Sequence, residues 1–236
     1  MPVIIGMDGC RCGWLCLTED LARKTIEARV LSRFDEILAF KAKPQVAMVD
    51  IPIGLTDRGP RECDKKTRAR LGKPRSNSVF PAPIRSMLKV RNYEMACRIG
   101  EKVDGRKISR QSWAIIPKIK EVDDFLQINK DFQSRIWECH PELCFYFWNK
   151  NKPMVFGKKN PSGKAEREKL VLGKYGQPFR DARRNLPRGM YAADDLLDAF
   201  AALWSAERFI NERSKCEFLP KMAPLDSCGL RMQITA

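Results

Sequence analysis

The chain has 236 residues, of which 44% are hydrophobic and 31% are charged, and it carries a formal net charge of +15 at pH 7. This length predicts one large domain, or one domain with an insertion, with enough apolar material for a core. No apolar run approaches the roughly 18 residues of a membrane-spanning helix, which excludes an integral helical membrane protein. The positive charge favours an anionic partner such as nucleic acid, with general solubility as the alternative.

The nine scattered cysteines and the N-terminal segment indicate the cellular compartment of the protein. The N-terminal segment lacks a basic region followed by a long apolar region, so it does not predict a signal peptide. A disulfide framework is therefore not expected, and we predict reduced thiols and a cytoplasmic protein. The closely spaced Cys10, Cys12 and Cys16 do not match the usual spacing of zinc ligands.

The first fifty residues alternate between strand and helix patterns. Ser32 and Asp35 resemble a capping box at the start of a short helix that ends near Phe40. The fourth predicted strand is a continuous apolar run, which suits a parallel strand covered on both faces. The four predicted strands are residues 3–8, 13–18, 25–31 and 46–51.

A basic, helical stretch interrupts this pattern at about residues 56–130. It holds eight basic residues between Arg58 and Arg75, and Gly72 is a plausible helix end. Residues 91–100 and 110–128 have helical periodicity. We therefore predict a helical insertion placed over one end of the sheet.

Strand and helix patterns return after the insertion. Residues 134–139 predict a fifth strand, and residues 140–149 predict a helix or an irregular apolar run. Ser162 is a candidate N-cap and Gly173 a candidate stop for a basic helix. The periodicity of residues 191–211 predicts the clearest helix of the chain. Residues 228–236 predict a short edge strand.

Acidic side chains follow three of the apolar runs. Asp8 and Asp50 each end a predicted strand, and Glu138 lies in the fifth. A carboxylate at such a position is costly unless something pairs with it. A divalent metal ion is a common partner, and an oxygen-only ligand set favours Mg²⁺ or Mn²⁺ over Zn²⁺.

The late helix carries three more aspartates. Asp195 and Asp198 are three residues apart and share one helix face, whereas Asp194 points away. Two like charges on one partly buried face repel each other unless a cation lies between them. The alternative is that all three simply form a charged first turn of the helix.

These acidic groups are expected to converge. If the first and fourth strands are adjacent and parallel, Asp8 and Asp50 meet at one sheet edge, where ligands bind in open α/β sheets. The late helix can then bring Asp195 and Asp198 to the same place. Four converging carboxylates are typical of a two-metal phosphodiesterase site.

Several motifs in the same order resemble a known family, the uncharacterised "predicted RNase H-like nuclease" family (domain of unknown function 429). They are GMDG-x3-GW, VDIPIGL, R-x2-CD-x3-R-x-RLG-x3-SVF-x-AP, Q-x-WAI-x-PKI-x-EVD, EC-HPE and DD-x2-DA, at residues 6–14, 49–55, 61–83, 111–123, 138–142 and 194–199. The resemblance implies an α/β fold of the ribonuclease H-like type. In it, a mixed five-stranded sheet carries flanking helices and the helical insertion, and the whole chain, residues 1–236, forms a single domain.

A more distant similarity is to the RuvC-type Holliday junction resolvases. The shared features are an aspartate in a glycine-bearing turn after the first strand, an acid on the fourth strand and a D-x2-D-A pair on the last helix. The matching positions are Asp8, Asp50, Asp195 and Asp198. The similarity implies that these four bind the metal ions, with Glu138 as a less certain fifth acid.

Other residues are candidates for catalysis or phosphate binding. His140, the only histidine, lies between Glu138 and Glu142, and is a candidate general base, phosphate contact or metal ligand, or a structural residue. Lys118 either contacts phosphate or pairs with Glu121 one turn along a helix. Three arginines of the basic stretch are the other candidate phosphate ligands, namely Arg68, Arg70 and Arg75, with a plain solvated face as the alternative.

The sequence thus favours a metal-dependent nuclease that hydrolyses phosphodiester bonds with Mg²⁺ or Mn²⁺ by a two-metal mechanism. Its expected partner is DNA or RNA, and no membrane association is expected. A nucleotide-binding phosphotransferase or phosphohydrolase of the actin-like superfamily is one alternative, although that superfamily needs a second glycine-rich phosphate loop. The other is a nucleic-acid-binding protein that has lost catalysis.

Overall fold

The computed structural model describes residues 2–236, which form two compact units. Within the described residues, the first unit comprises residues 2–51, Ser134–Glu217 and Thr235–Ala236, and the second comprises Pro52–Gln133 and Phe218–Ile234. The predicted insertion, about 56–130, falls within the second unit. That the whole chain is one domain stays a prediction.

Seven strands form one mixed sheet. Their bounds are Val3–Cys10 (β1), Gly13–Asp20 (β2), Thr25–Leu31 (β3), Val46–Asp50 (β4), Ile136–Glu138 (β5), Phe218–Leu219 (β6) and Ile234–Thr235 (β7). The order across the sheet is β3-β2-β1-β4-β5-β7-β6. Strands β1, β2 and β3 pair antiparallel, whereas β1–β4 and β4–β5 are parallel pairs. The predicted α/β class and mixed sheet are confirmed.

The sheet differs from the prediction at the C-terminal end of the chain. Strands β6 and β7, of two residues each, add to the five strands that the family resemblance implies, and β7 lies in the tail, residues 228–236, where a short strand was predicted. The tail was expected to form an edge strand, but β7 lies between β5 and β6 in the sheet order. Strands this short leave almost no alternation to read in the sequence, because the period-2 pattern needs about four residues.

The α-helices are Glu62–Leu71 (α1), Tyr93–Asp104 (α2), Arg110–Ala114 (α3), Ile116–Ile128 (α4), Pro141–Trp148 (α5), Pro161–Asn185 (α6) and Ala193–Asn211 (α7). Gly72 caps α1 with a φ of 62°, as predicted. Among the residues 2–236 that the structure describes, no helix has both the length and the apolar character to cross a membrane.

Two helix boundaries were predicted wrongly. Helix α6 begins after Asn160, whose side chain accepts a hydrogen bond from the Ser162 N–H at 2.9 Å, so Ser162 is not the N-cap. The helix also continues past Gly173, because an exposed glycine inside a helix costs only about 1 kcal/mol. It kinks instead at Gly176, where the backbone leaves helical geometry two residues before Pro178.

The segment after β3 also differs from the predicted capping box and helix. It forms a 3₁₀ helix, Phe34–Ala39, in place of an α-helix. The capping contact comes from Glu36, whose carboxylate accepts a hydrogen bond from the Arg33 N–H at 2.9 Å. Ser32 therefore does not cap this helix.

Helix α7 packs directly on the centre of the sheet, against β1 and β4. The close approach depends on Gly6, because a Cβ atom there would lie 2.2 Å from the Leu203 backbone nitrogen and 2.5 Å from the Ala199 carbonyl oxygen. Ala199 and Ala202 are fully buried small residues of the same helix. This contact fixes the distance between the acidic end of α7 and the ends of β1 and β4.

Buried ion pairs stabilise the second unit. Arg61 and Asp64 are almost fully buried and 2.6 Å apart. The Arg85 guanidinium contacts both Asp123 and Asp226, and Asp226 also accepts a hydrogen bond from the Leu55 N–H at 2.8 Å. These contacts tie distant segments of the unit together, and Asp226 is close to the C-terminus of the chain.

Candidate functional site

Three carboxylates from three elements of the first unit meet at one place. Asp8 lies near the end of β1 and Asp50 ends β4, and the two are direct partners in the parallel pairing. Asp198 lies in the second turn of α7. Each contributes a carboxylate oxygen, and these oxygens lie within 4.8 Å of one another. We call these three residues the carboxylate cluster.

Burial makes the carboxylate cluster electrostatically costly. Asp8 is 7% exposed and Asp198 only 1%. Burial, and next the charges of Asp50 and Asp198, raise the pKa of Asp8 well above its ordinary value. Burial likewise raises the pKa of Asp50, against the lowering effects of His140 and Lys158. Burial raises the pKa of Asp198 to about 7, even though Lys158 lowers it.

Lys158 is a member of the site that the sequence did not reveal. Its ammonium donates to Asp198 Oδ2 at 2.6 Å and lies 3.8 Å from Asp194 Oδ2. Burial alone would lower the pKa of Lys158, but the charges of Asp198, Asp8 and Asp50 raise it. In the sequence, Lys158 is one of several lysines in a basic, proline-containing stretch, and nothing in its spacing marks it out.

Asp195 makes a structural contact that the sequence did not predict. Its carboxylate accepts a hydrogen bond from the Ala192 N–H at 2.7 Å and so caps the start of α7. Among the described residues it is not part of the carboxylate cluster. Its charge nevertheless contributes to raising the pKa of Asp8. As a metal ligand, Asp195 stays a prediction.

Glu138 and His140 lie beside the carboxylate cluster. Glu138 is 4% exposed and pairs with Val49 across β4 and β5. His140 is half-buried at the start of α5, and its charge acts on Asp50. Among residues 2–236, neither belongs to the group whose possible ligand atoms lie within 4.8 Å of one another. Both are therefore neighbours of the cluster, and their predicted roles in catalysis stay predictions.

In the part of the chain that is described, the cysteines form no group of three or more side chains that could hold a metal ion. All nine are free thiols. Cys10 and Cys16 are buried and Cys12 is exposed, and burial raises the pKa of Cys16 to about 12. A thiol in that environment stays protonated, which disfavours its use as a metal ligand.

Comparison with known proteins adds the family. Residues 6–224 match the family described as "Protein of unknown function (DUF429)". The chain belongs to this family. No curated protein and no solved structure matches the chain. The family resemblance predicted from the motifs is thus confirmed. Asp8, Asp50 and Asp198 all lie within residues 6–224, which match the DUF429 family.

The predicted phosphate ligands of this DUF429 chain all lie in the second unit, whereas the carboxylate cluster lies in the first. Arg68 donates to the Val79 carbonyl oxygen at 2.8 Å, which is a structural contact. Arg70 is exposed at the end of α1, and Arg75 is half-buried in the following 3₁₀ turn. Lys118 is half-buried in α4. Phosphate binding by these four residues stays a prediction.

The carboxylate cluster fits a hard divalent cation. All three ligand groups are carboxylates, the type that Mg²⁺ and Mn²⁺ prefer. Two oxygens on one Mg²⁺ ion lie at most about 4.2 Å apart, because each bond is about 2.1 Å long. At most one pair of three ligands can lie opposite each other, and adjacent oxygens on the ion lie about 3 Å apart, so oxygens within 4.8 Å of one another would close by up to about 2 Å around one ion.

The raised pKa of Asp198 predicts how the stability of the metal-free protein depends on pH. Its folded pKa of about 7 exceeds the ordinary value of 3.8, so the folded state holds this proton more tightly than the unfolded state. The contribution of Asp198 to the free energy of unfolding should therefore fall as pH rises from about 4 to 7.

Urea unfolding of the wild type and of Asp198→Asn across pH 4–8, in the presence of a chelator, measures this contribution. As pH rises across that window, we expect the unfolding free energy of the wild type to fall relative to that of Asp198→Asn. Asp181→Asn, at an exposed ion pair of α6, is the control and should show a constant difference. A constant difference for Asp198→Asn as well would contradict the prediction.

Proposed function

We propose that this protein is a metal-dependent nuclease that hydrolyses phosphodiester bonds on a ribonuclease H-like core. The observation that carries the proposal is the carboxylate cluster, in which Asp8, Asp50 and Asp198 bring their oxygens within 4.8 Å at the ends of two parallel strands and on the helix that covers them. Two buried carboxylates and a half-buried one so close together call for a cation.

The strand arrangement supports the ribonuclease H-like assignment. Three antiparallel strands, β1 to β3, are followed by a short helical segment and by β4, which returns parallel to β1. Strand β5 then pairs parallel to β4. This is the opening pattern that the sequence predicted for the fold, and it places the cluster at the carboxyl ends of the central strands, where ligands bind in such sheets.

In the proposed reaction the residues of the cluster would hold Mg²⁺ or Mn²⁺. A bound ion would act as a Lewis acid toward the phosphate and promote ionisation of a water molecule. His140, half-buried beside Asp50, is placed to accept a proton or to contact phosphate. The net charge of +15 favours nucleic acid as substrate, with Arg68, Arg70, Arg75 and Lys118 as proposed contacts to its backbone. We also propose a reducing, cytoplasmic location, in keeping with nine free thiols.

The test is cleavage of a panel of branched, single-stranded, double-stranded and RNA–DNA hybrid substrates with Mg²⁺ or Mn²⁺. We expect cleavage of at least one class, and its loss when EDTA is added. No cleavage of any class, together with no binding of either ion, would contradict the proposal and favour a nucleic-acid-binding protein without catalysis. Thermal stabilisation by ATP would instead favour the nucleotide-binding alternative.

A further inference from the structure

A lysine ammonium already occupies part of the carboxylate cluster. Lys158 Nζ lies 2.6 Å from Asp198 Oδ2, and its charge acts on Asp8 and Asp50 as well. The three carboxylates and this ammonium together carry a net charge of −2 when all are ionised. One divalent cation neutralises that charge, whereas two would leave the group with an excess of positive charge.

The fold holds Lys158 in this position. It lies in the segment between α5 and α6, and the backbone of that segment is fixed by Arg167, which is 1% exposed. The Arg167 guanidinium donates to the Phe156 carbonyl oxygen at 3.1 Å and to the Gly163 carbonyl oxygen at 2.7 Å. It also pairs with the buried Glu142 at 2.5 Å. Lys158 is therefore not a mobile surface lysine whose contact with Asp198 is incidental.

A close backbone approach adds to this anchoring. A Cβ atom on Gly163 would lie 2.2 Å from the Gly157 carbonyl oxygen, so the first turn of α6 packs against the residue that precedes Lys158. The Asn160 side chain caps the same turn. Residues on both sides of Lys158 are thus held by contacts to α6.

Lys158 also uses part of the ligand supply. Two-metal sites place their ions about 3.5–4 Å apart and need carboxylates that serve both. Among the residues described, Asp8, Asp50 and Asp198 form the one group of three carboxylates whose oxygens lie within 4.8 Å of one another. Lys158 engages one oxygen of Asp198, and its removal would free that oxygen for a second ion.

We propose that Lys158 takes the place of a second divalent cation, so that the site binds one Mg²⁺ or Mn²⁺ ion and uses the lysine ammonium as its other positive charge. This inference rests on the proposed function, since it assumes that the carboxylate cluster binds a divalent ion. It replaces the two-ion arrangement that the sequence predicts.

The ammonium is suited to contact the substrate as well. An ammonium has three N–H donors, and one of them is used by Asp198. The Lys158 side chain is 40% exposed, while the Asp198 side chain is 2% exposed. The side chain is thus partly open to solvent, and its remaining donors would serve a phosphate oxygen of the substrate, which carries negative charge during hydrolysis.

Counting bound manganese tests this inference. Calorimetric titration of the full chain with Mn²⁺ should give one ion per chain for the wild type and two for Lys158→Met. Lys159→Met removes the same charge from the neighbouring exposed residue and should keep one ion, as should Lys158→Arg. Native mass spectrometry of the manganese-loaded proteins counts the ions independently, including for a variant that folds only when the metal is present.

The possible outcomes separate this inference from the proposed function. Two ions in the wild type would overturn the role of Lys158 and leave a metal-dependent nuclease standing. One ion in both the wild type and Lys158→Met would also overturn it, because the lysine would then exclude nothing. No manganese in any of the proteins would contradict both proposals.

Discussion

Asp8→Asn should reduce metal-dependent cleavage by on the order of 100-fold or more, on whichever substrate the wild type cleaves. Mutation of even the outer partners of metal ligands costs about 10–100-fold, and Asp8 is a direct member of the carboxylate cluster. The same substitution should raise the melting temperature of the metal-free protein. It removes a buried charge whose pKa is raised by burial and by Asp50 and Asp198, while it keeps the shape of the side chain.

A loss of activity together with a gain in stability distinguishes a functional site from a structural one. Initial rates with Mn²⁺ and thermal unfolding with EDTA measure the two quantities. Asp181→Asn, in an exposed ion pair of α6, should change neither by much, because exposed pairs contribute little. Full activity in Asp8→Asn would rule out a catalytic role for the cluster. A large loss of stability would show that Asp8 serves the fold.

Gly6→Ala should destabilise the protein by about 3 kcal/mol, the upper part of the usual range for overpacking. The added Cβ would lie 2.2–2.5 Å from backbone atoms of Leu203 and Ala199. Because these contacts are with backbone atoms of α7, no flexible side chain can move aside, and α7 must shift away from β1. Asp198 would move with the helix, and the affinity for Mn²⁺ should fall as well.

Gly173→Ala is the matched control for this prediction. Gly173 lies inside α6 and is exposed, and a Cβ atom added there would point into open space. Replacement of an exposed helical glycine by alanine should stabilise the protein by roughly 0.5–1 kcal/mol. Urea unfolding of both variants gives the comparison. Equal effects of the two substitutions would show that the contact at Gly6 does not constrain α7.

The longer strands and the three carboxylates were predictable because they depend on local patterns. The apolar runs that end at Asp8 and Asp50 define buried strands, and parallel pairing then brings the two aspartates together. Asp198 followed from helical periodicity. The pattern could not separate Asp195 from Asp198, because both lie on one helix face. Their contacts differ, since Asp195 accepts a backbone hydrogen bond at the start of α7.

Lys158 was not predictable because its position depends on contacts between residues that are distant in the sequence. Glu142, Arg167 and the two glycines at 157 and 163 fix the segment that carries it. The sequence shows these residues only as parts of basic or apolar stretches. In the same way, β6 is too short to leave a pattern. Sequence patterns therefore predict the carboxylates of the site better than their cationic partner.

A crystal structure of the protein soaked in Mn²⁺, with the ion located by its anomalous scattering, tests the central claim most directly. We predict an ion bound by carboxylate oxygens of Asp8, Asp50 and Asp198. The absence of an anomalous peak among these three residues at saturating Mn²⁺, or peaks only elsewhere on the protein, would contradict it.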